Sequence, residues 1–475
     1  MTSHRGKAVS GSGRFIAVGL VATLAGFVAW TAGGGTSPTA QEEPRPKPKK
    51  PASGLSFETQ TTVSPQAPTA PPASGFDNER AMSIYDDWEP AVATDPITSY
   101  VYQITTRYSG PAACKGCPFP VLVFRSSSDG GVTYGPDTFL NLSKNKQNDP
   151  QIQVATNGVI YVAWLDNFNP GVKLIKSSDH GATWTTPISF TGKGRKPSWS
   201  DKPWLAISRD GQNVYIAFNA SDSYVVSSHD AGNTFSAPVK TNNDTRYWFA
   251  NGGAVAANGT VYFSEADFSQ DYSGPANIDV LKSTDGGASF ITTRVDTSQQ
   301  MPGCAWAAGC TLGFLGSSAA LAVDATGKLM IAYNANDVPS VPEQIYARTS
   351  TDGVTWSARQ LVSTGVSTVN GGFPALASGP TSGDFRLAYQ DDRNGSTTAF
   401  NTWYRRTTNG GGTWSADVRL SDLGKGAPYK TAAGYAFPYG DYFEIAVDAL
   451  GVNHVAWGEG ISYTGPGGTW FTKGQ

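Results

Sequence analysis

Residues 127–134 read Ser127-Ser128-Asp129-Gly130-Gly131-Val132-Thr133-Tyr134, and this spacing of Ser, Asp, Gly, Thr and an aromatic returns along the chain. It recurs at Ser177/Asp179/Gly181/Thr183/Trp184, at Ser228/Asp230/Gly232/Thr234/Phe235 and at Ser283/Asp285/Gly287/Ser289/Phe290. A fifth copy, Ser350-Thr351-Asp352-Gly353-Val354-Thr355-Trp356, is one residue shorter. A sixth substitutes Thr407 and Asn409, and Gly467-Gly468-Thr469-Trp470 reads as the relic of a seventh turn. Short Ser and Asp side chains cap the amides of their own turn. Glycine takes the backbone angle that other residues resist, and the aromatic buries itself between neighbouring sheets. No part of that arrangement needs a substrate, so Asp129, Asp179, Asp230, Asp285 and Asp352 are read as structural.

Between these turns lie hairpins, two apolar runs around a Gly, Asn or Asp turn. They are PAVATDPITSYVYQI (90–104), PQIQVATNGVIYVAW (150–164), PWLAISRDGQNVYIAF (203–218), GGAVAANGTVYFSEAD (252–267), AALAVDATGKLMIAY (319–333), FPALASGPTSGDFRLAY (373–389) and FEIAVDALGVNHVAW (443–457). Their period, about 50 to 67 residues, is the size of a four-stranded blade. The pattern predicts an all-β fold, a β-propeller of about seven four-stranded blades over 76–475, or six if the first or last repeat folds differently.

The serial turns resemble the Asp-boxes (BNR repeats) of the sialidase superfamily, over about residues 85–475. That resemblance implies a propeller that binds and hydrolyses glycans, with an arginine cluster on the sugar carboxylate, a Tyr nucleophile aided by a Glu, and an Asp acid/base. The superfamily's Arg-Ile-Pro motif is absent, and sialidases resemble six-bladed propellers. Arg80, Arg107, Arg246 and Arg393 are the cationic candidates on the face away from the turns. Tyr247, Tyr272 or Tyr442 could serve as nucleophile, Glu265 as its partner, and Asp149 or Asp201 as acid. Asp441 joins them in a ring of acids and aromatics around the axis, which suits sugar hydroxyls and rings. The competing reading is a non-catalytic propeller for protein–protein interaction or assembly at the cell envelope.

Outside the repeats, Phe15 to Ala32 (FIAVGLVATLAGFVAWTA) is an uncharged apolar run preceded by Arg5, Lys7 and Arg14. That order is an export signal, so residues 1–32 are expected to form a signal peptide or signal anchor. Trp30 stands where a small residue is wanted for cleavage after Ala32. Residues 33–75 are rich in Pro, Ala, Ser and Thr, the composition of a disordered, extended linker. The rest of the chain is expected outside the cell, secreted or anchored by its N-terminal segment.

The net charge is −3; residues 1–50 hold seven Lys/Arg against two acids, leaving −8 on the remainder. An acidic body argues against nucleic acid as a partner. The expected partner is a glycan or an envelope protein, with the membrane met only through the N-terminal segment, and nothing points to more than a monomer. The four His residues form no metal cluster and no Ser-His-Asp set. No cofactor is expected, although a calcium ion among the acids is compatible with either reading. The cysteines fall in two local pairs, Cys114/Cys117 and Cys304/Cys310, which read as loop-closing disulfides in an exported chain. A four-thiolate zinc site is the alternative, and no βαβ pattern surrounds Cys114-Lys115-Gly116-Cys117 to suggest a thioredoxin-like unit.

Overall fold

The computed structural model describes residues 75–475 apart from 84, 141–144, 168–170, 191–199, 221, 269–273, 301–316, 365–367, 395–398, 422–426, 429, 432–433, 436–441 and 461–466. The leader and linker, Cys304 and Cys310 lie outside the described residues. Among those described, no helix is long and apolar enough to cross a membrane.

The chain folds as a seven-bladed β-propeller. Blade 1 is the antiparallel meander Asp86–Thr94, Val101–Ser109, Val121–Ser127 and Thr138–Phe139. Blades 2 to 6 repeat it in sequence order, with innermost strands Gln147–Val154, Ser200–Ile207, Tyr247–Val255, Ala319–Val323 and Gly371–Ser378. Each innermost strand packs on the next, and the seventh returns to the first.

Blade 7 is composite. Glu444–Val447, Asn453–Gly460 and Gly467–Gly474 come from the C-terminus, and Arg80–Ala81 supplies the outer strand. The register Arg80↔Phe471 and Ala81↔Trp470 joins the two ends of the chain. This corrects the expectation of a seventh turn at Gly467-Gly468-Thr469-Trp470. Thr469 and Trp470 are buried inside the sheet, where the N-terminal strand needs an extended partner.

The Ser-x-Asp turns behave as sealed units. Ser127 Oγ donates to Asp129 Oδ1 at 2.7 Å and accepts from the Gly131 amide at 2.8 Å. Asp129 in turn accepts from the Thr133 amide at 2.9 Å and from its hydroxyl at 2.6 Å. The same bonds recur at Ser177/Asp179/Thr183 and Ser228/Asp230/Thr234. The Thr183 hydroxyl and amide hold the Asp179 carboxyl down to about 2.

The turn glycine is also the clasp to the preceding blade. At Gly181 (φ 91°) an added Cβ would overlap the Phe124 ring of blade 1. Gly353 stands likewise against Tyr262 of blade 4, and Gly131 stands 3.1 Å, by the same measure, from Phe471 of blade 7. Apolar seams lie beneath these clasps, such as Tyr161, Leu174, Val214 and Phe218 between blades 2 and 3. The two costs separate by substitution. Gly181→Ala is expected to lower stability by about 3 kcal/mol, through left-handed strain plus overpacking. Gly130→Ala, also left-handed (φ 70°) but with nothing within 4 Å, is expected to cost only about 1 kcal/mol. Thermal or denaturant unfolding of the two variants checks the difference.

Candidate functional site

In this topology the hairpin turns and Ser-x-Asp turns share one face, and the remaining loops form the other. Around the axis at the loop face, four blades begin their innermost strand with the same device. Glu89, Asp149, Lys202 and Phe373 have φ of 55°, 52°, 44° and 52°, and each precedes a proline. Register breaks at Trp88/Ala91, Asn148/Gln151, Asp201/Trp204 and Gly372/Ala375 mark them as bulges. A proline has no amide to offer a ladder, and a bulge re-aims the side chains beside it. Left-handed backbone at a non-glycine residue stores strain, which collects at functional sites. The signal in the sequence was the x-Pro pair opening four of the hairpins.

Asp149 is 1% exposed, and neither carboxylate oxygen has a hydrogen-bond partner among the described residues. Asp201 is fully buried, its Oδ1 accepting from the Lys202 amide at 2.9 Å. Tyr442, from the start of blade 7, crosses this end of the axis. Its hydroxyl donates to the Pro150 carbonyl at 2.9 Å, and its ring meets Trp204 edge-on with centroids 6.0 Å apart. Lys202 Nζ sits 5.9 Å from the same ring. Tyr247 is half-buried at the loop-face end of its strand. Asp441 and Tyr272 fall outside the described residues.

Below Tyr442 lies an axial cavity of about 360 Å³ to which all seven blades contribute. Its walls include Val92, Ile152, Trp204, Leu321, Leu376, Phe443 and Ile445, with Gln151, Gln153 and Glu444 as polar groups. It runs to Pro96, Thr156 and the exposed Arg209 at the turn face, and neither Asp149 nor Lys202 lines it. The free edges of the innermost strands are covered by side chains. Gln153 Nε2 donates to the Leu205 carbonyl at 2.7 Å while its Oε1 accepts from the Ile207 amide at 3.1 Å. Glu444 Oε2 accepts from the Val92 amide at 3.1 Å, and Thr94 Oγ1 donates to the Val447 carbonyl at 3.1 Å.

The loop-face arginines are spoken for within their own blades. Arg107, fully buried, bonds Asp87 at 2.7 Å and Asp137 at 2.6 Å, and Arg125 bonds the same two acids at 3.2 and 2.7 Å. Arg246 grips Asp267, with Nη2 at 3.0 Å from Oδ1, and donates to the Pro275 carbonyl at 2.6 Å. Arg393 is held between Asp391 and Asp417 and lies 4.0 Å over the Trp403 ring. Arg80 is at the turn face, over Phe471 and bonded to the Val132 carbonyl. The structure therefore does not bring Arg80, Arg107, Arg246 and Arg393 into one pocket.

Two acids, Glu265 and Glu343, are buried, and a third, Glu444, is half-buried on the cavity wall. Burial pushes Glu265 up to about 8 against a bond from the Ser223 hydroxyl, Glu444 up to about 8, and Glu343 up to about 7. Among the described residues no group of three His, Cys, Asp or Glu is placed to hold a metal ion. A carboxyl whose folded value lies above its unfolded one takes up protons on folding, so its contribution to stability weakens as pH rises toward the folded value. The thermal midpoint is expected to fall between pH 5 and pH 8. Glu444→Gln is expected to remove about a quarter or more of that fall, read by calorimetry across the pH range.

No family model matches the chain, and no curated protein matches it. Solved structures do. One is a protein of unknown function from Dyadobacter fermentans, at 13% identity over 84% of this chain and 98% of that one, TM-score 0.48. Another is a PL25 ulvan lyase bound to a GlcA–Rha3S saccharide, at 13% identity over 84% of this chain and 95% of that one, TM-score 0.48. A third is the leech intramolecular trans-sialidase, at 14% identity over 83% of this chain and 70% of that one, TM-score 0.44.

Proposed function

We propose that this chain is an Asp-box propeller of the sialidase-superfamily type, held outside the cell by its N-terminal segment, that binds neutral glycans. One observation carries the reading: each loop-face arginine candidate is already neutralised by carboxylates of its own blade, and Arg209, the arginine that lines the axial cavity, lies exposed to solvent at its turn-face end. An anionic sugar needs a desolvated, unpaired cation to hold its carboxylate, since pulling an arginine from a buried pair leaves its partner uncompensated. A neutral sugar has no such need. Its apolar ring face packs on an aromatic and its hydroxyls take amide and carboxyl partners. The axial cavity offers that combination in Trp204, Gln151 and Glu444.

Binding of a neutral oligosaccharide panel to the exported chain tests this, by array and then by calorimetry. Trp204→Ala is expected to weaken binding at least about tenfold, the scale of one lost aromatic contact. Arg246→Ala is expected to leave affinity unchanged, and affinity is expected to vary little with salt. Turnover of a sialoside that is lost on Arg246→Ala would overturn the proposal. A second reading, hydrolysis of a neutral glycoside, rests on Glu444, whose carboxyl at about 8 keeps its proton at neutral pH as a general acid must. Turnover that disappears in Glu444→Gln would establish it.

A further inference from the structure

The described bridge, Cys114–Cys117, closes a loop of blade 1 between the strands Val101–Ser109 and Val121–Ser127. It ties no strand to another strand and no blade to another blade. It spans a sequence separation of 3, and the same turn is already closed by the Cys117 amide donating to the Cys114 carbonyl at 3.0 Å. A cross-link stabilises by removing loop-closure entropy from the unfolded chain, and that term is smallest for so short a ring. The bridge has little structural work to do where it stands.

Its two halves are placed unequally. Cys114 is exposed together with Pro111, Ala112, Lys115 and Gly116, whereas Cys117 is 9% exposed beneath them. Gly116 is left-handed (φ 82°), and nothing stands within 4 Å of where its Cβ would be, so the turn is open on its outer side. The Lys115 ammonium lies between the two cysteines in sequence, on the exposed surface of the turn. An accessible sulfur next in sequence to a lysine, with its partner withdrawn, is the arrangement that thiol–disulfide exchange requires.

We propose that Cys114–Cys117 is an exchange site that accepts electrons from accessible thiols, with Cys114 as the sulfur attacked. A substrate thiolate forms a bond to Cys114 Sγ; the Cys114–Cys117 bond breaks, and its electron pair leaves on Cys117 Sγ, which takes a proton from water. A second substrate thiol then attacks the substrate sulfur of the mixed disulfide and expels Cys114 as a thiolate. The substrate dithiol is oxidised to a disulfide, and the protein is reduced to two thiols. The assignment uses no residue that lines the axial cavity, and stands whatever the propeller binds.

The test is native exchange of the full chain with reduced glutathione, and separately with a reduced, unfolded dithiol protein, followed by alkylation and peptide mass mapping. With glutathione disulfide in place of reduced glutathione, Cys117→Ser is expected to give a glutathione adduct on Cys114, releasing one glutathione thiol. Cys114→Ser is expected to leave Cys117 at least about tenfold slower toward glutathione disulfide or a maleimide, as burial of a thiol demands. Lys115→Gln is expected to slow reduction of the native bridge about threefold, by withdrawing a neighbouring charge. The thermal midpoint of the reduced protein is expected to stay within about 2 °C of the oxidised one, as a four-residue ring implies. Transfer to the dithiol protein without glutathione reaction would support the site and restrict its substrates to proteins. A bridge that persists in excess glutathione under native conditions and is not reduced by the dithiol protein would overturn the proposal. So would equal labelling rates in the two serine variants, or unfolding on reduction.

Discussion

The contact between each turn glycine and the blade before it is the constraint on which the propeller depends. A sheet of four strands has two faces to cover, and a ring of seven covers them by stacking each blade on its neighbour. The Ser-x-Asp turn fixes the glycine in a left-handed conformation, and only a residue without a Cβ can lie against Phe124, Tyr262 or Phe471 at that distance. The turn acids are thereby consumed. Asp179 gives its carboxylate to Thr183 and Ser177, which is why its proton is lost so readily. Closure of the ring uses the same clasp, because Gly131 of blade 1 meets Phe471 in a blade built from both ends of the chain.

With the turn face occupied by scaffold, charge at the loop face is disposed of locally. Arginine and aspartate pair within a blade, and the Asp87/Asp137/Arg107/Arg125 square is the fullest example. Pairing of this kind is costly to break because removing one partner strands the other in a dry site. The carboxyls without a cation answer differently. Glu265, Glu343 and Glu444 move their proton affinity upward and persist as acids that can donate as well as accept. Glu444 shows why this helps: it covers an open strand edge at the seam between blades 7 and 1, where an amide in blade 2, Gln153, does the same for blade 3.

The left-handed residues before Pro90, Pro150, Pro203 and Pro374 bulge the innermost strands of four blades at the loop-face end of the axis. A bulge re-aims the side chains beside it, and Tyr442 spans the gap from blade 7 to blade 2. The cavity beneath is therefore shaped by unequal blades, with an indole from blade 3, amides from blade 2, a carboxyl from blade 7, a glycine from blade 4 and Ala320 and Leu321 from blade 5.

Much of this was written in one dimension. The blade repeat, the turn bonding and the pairing of Cys114 with Cys117 follow from spacing, because each is made by residues within a few positions of one another. Seven hairpins were countable, and seven blades formed. The relic at Gly467–Trp470 misled because its residues match a turn while the N-terminal strand, nearly four hundred residues away in sequence, requires them extended. The arginines misled in another way: composition lists Arg107, Arg246 and Arg393 as loop-face cations, yet whether a cation is free depends on which acid faces it across a strand pair. Asp87 opposite Arg107 is a register fact, not a spacing fact. Sequence determined the repeat and its turns, since those are local. Only the tertiary structure decided which charges remain unpaired, which carboxyls are buried and where the axis is open, because the first depends on register between strands of a blade and the others on neighbours that the chain brings together from different blades.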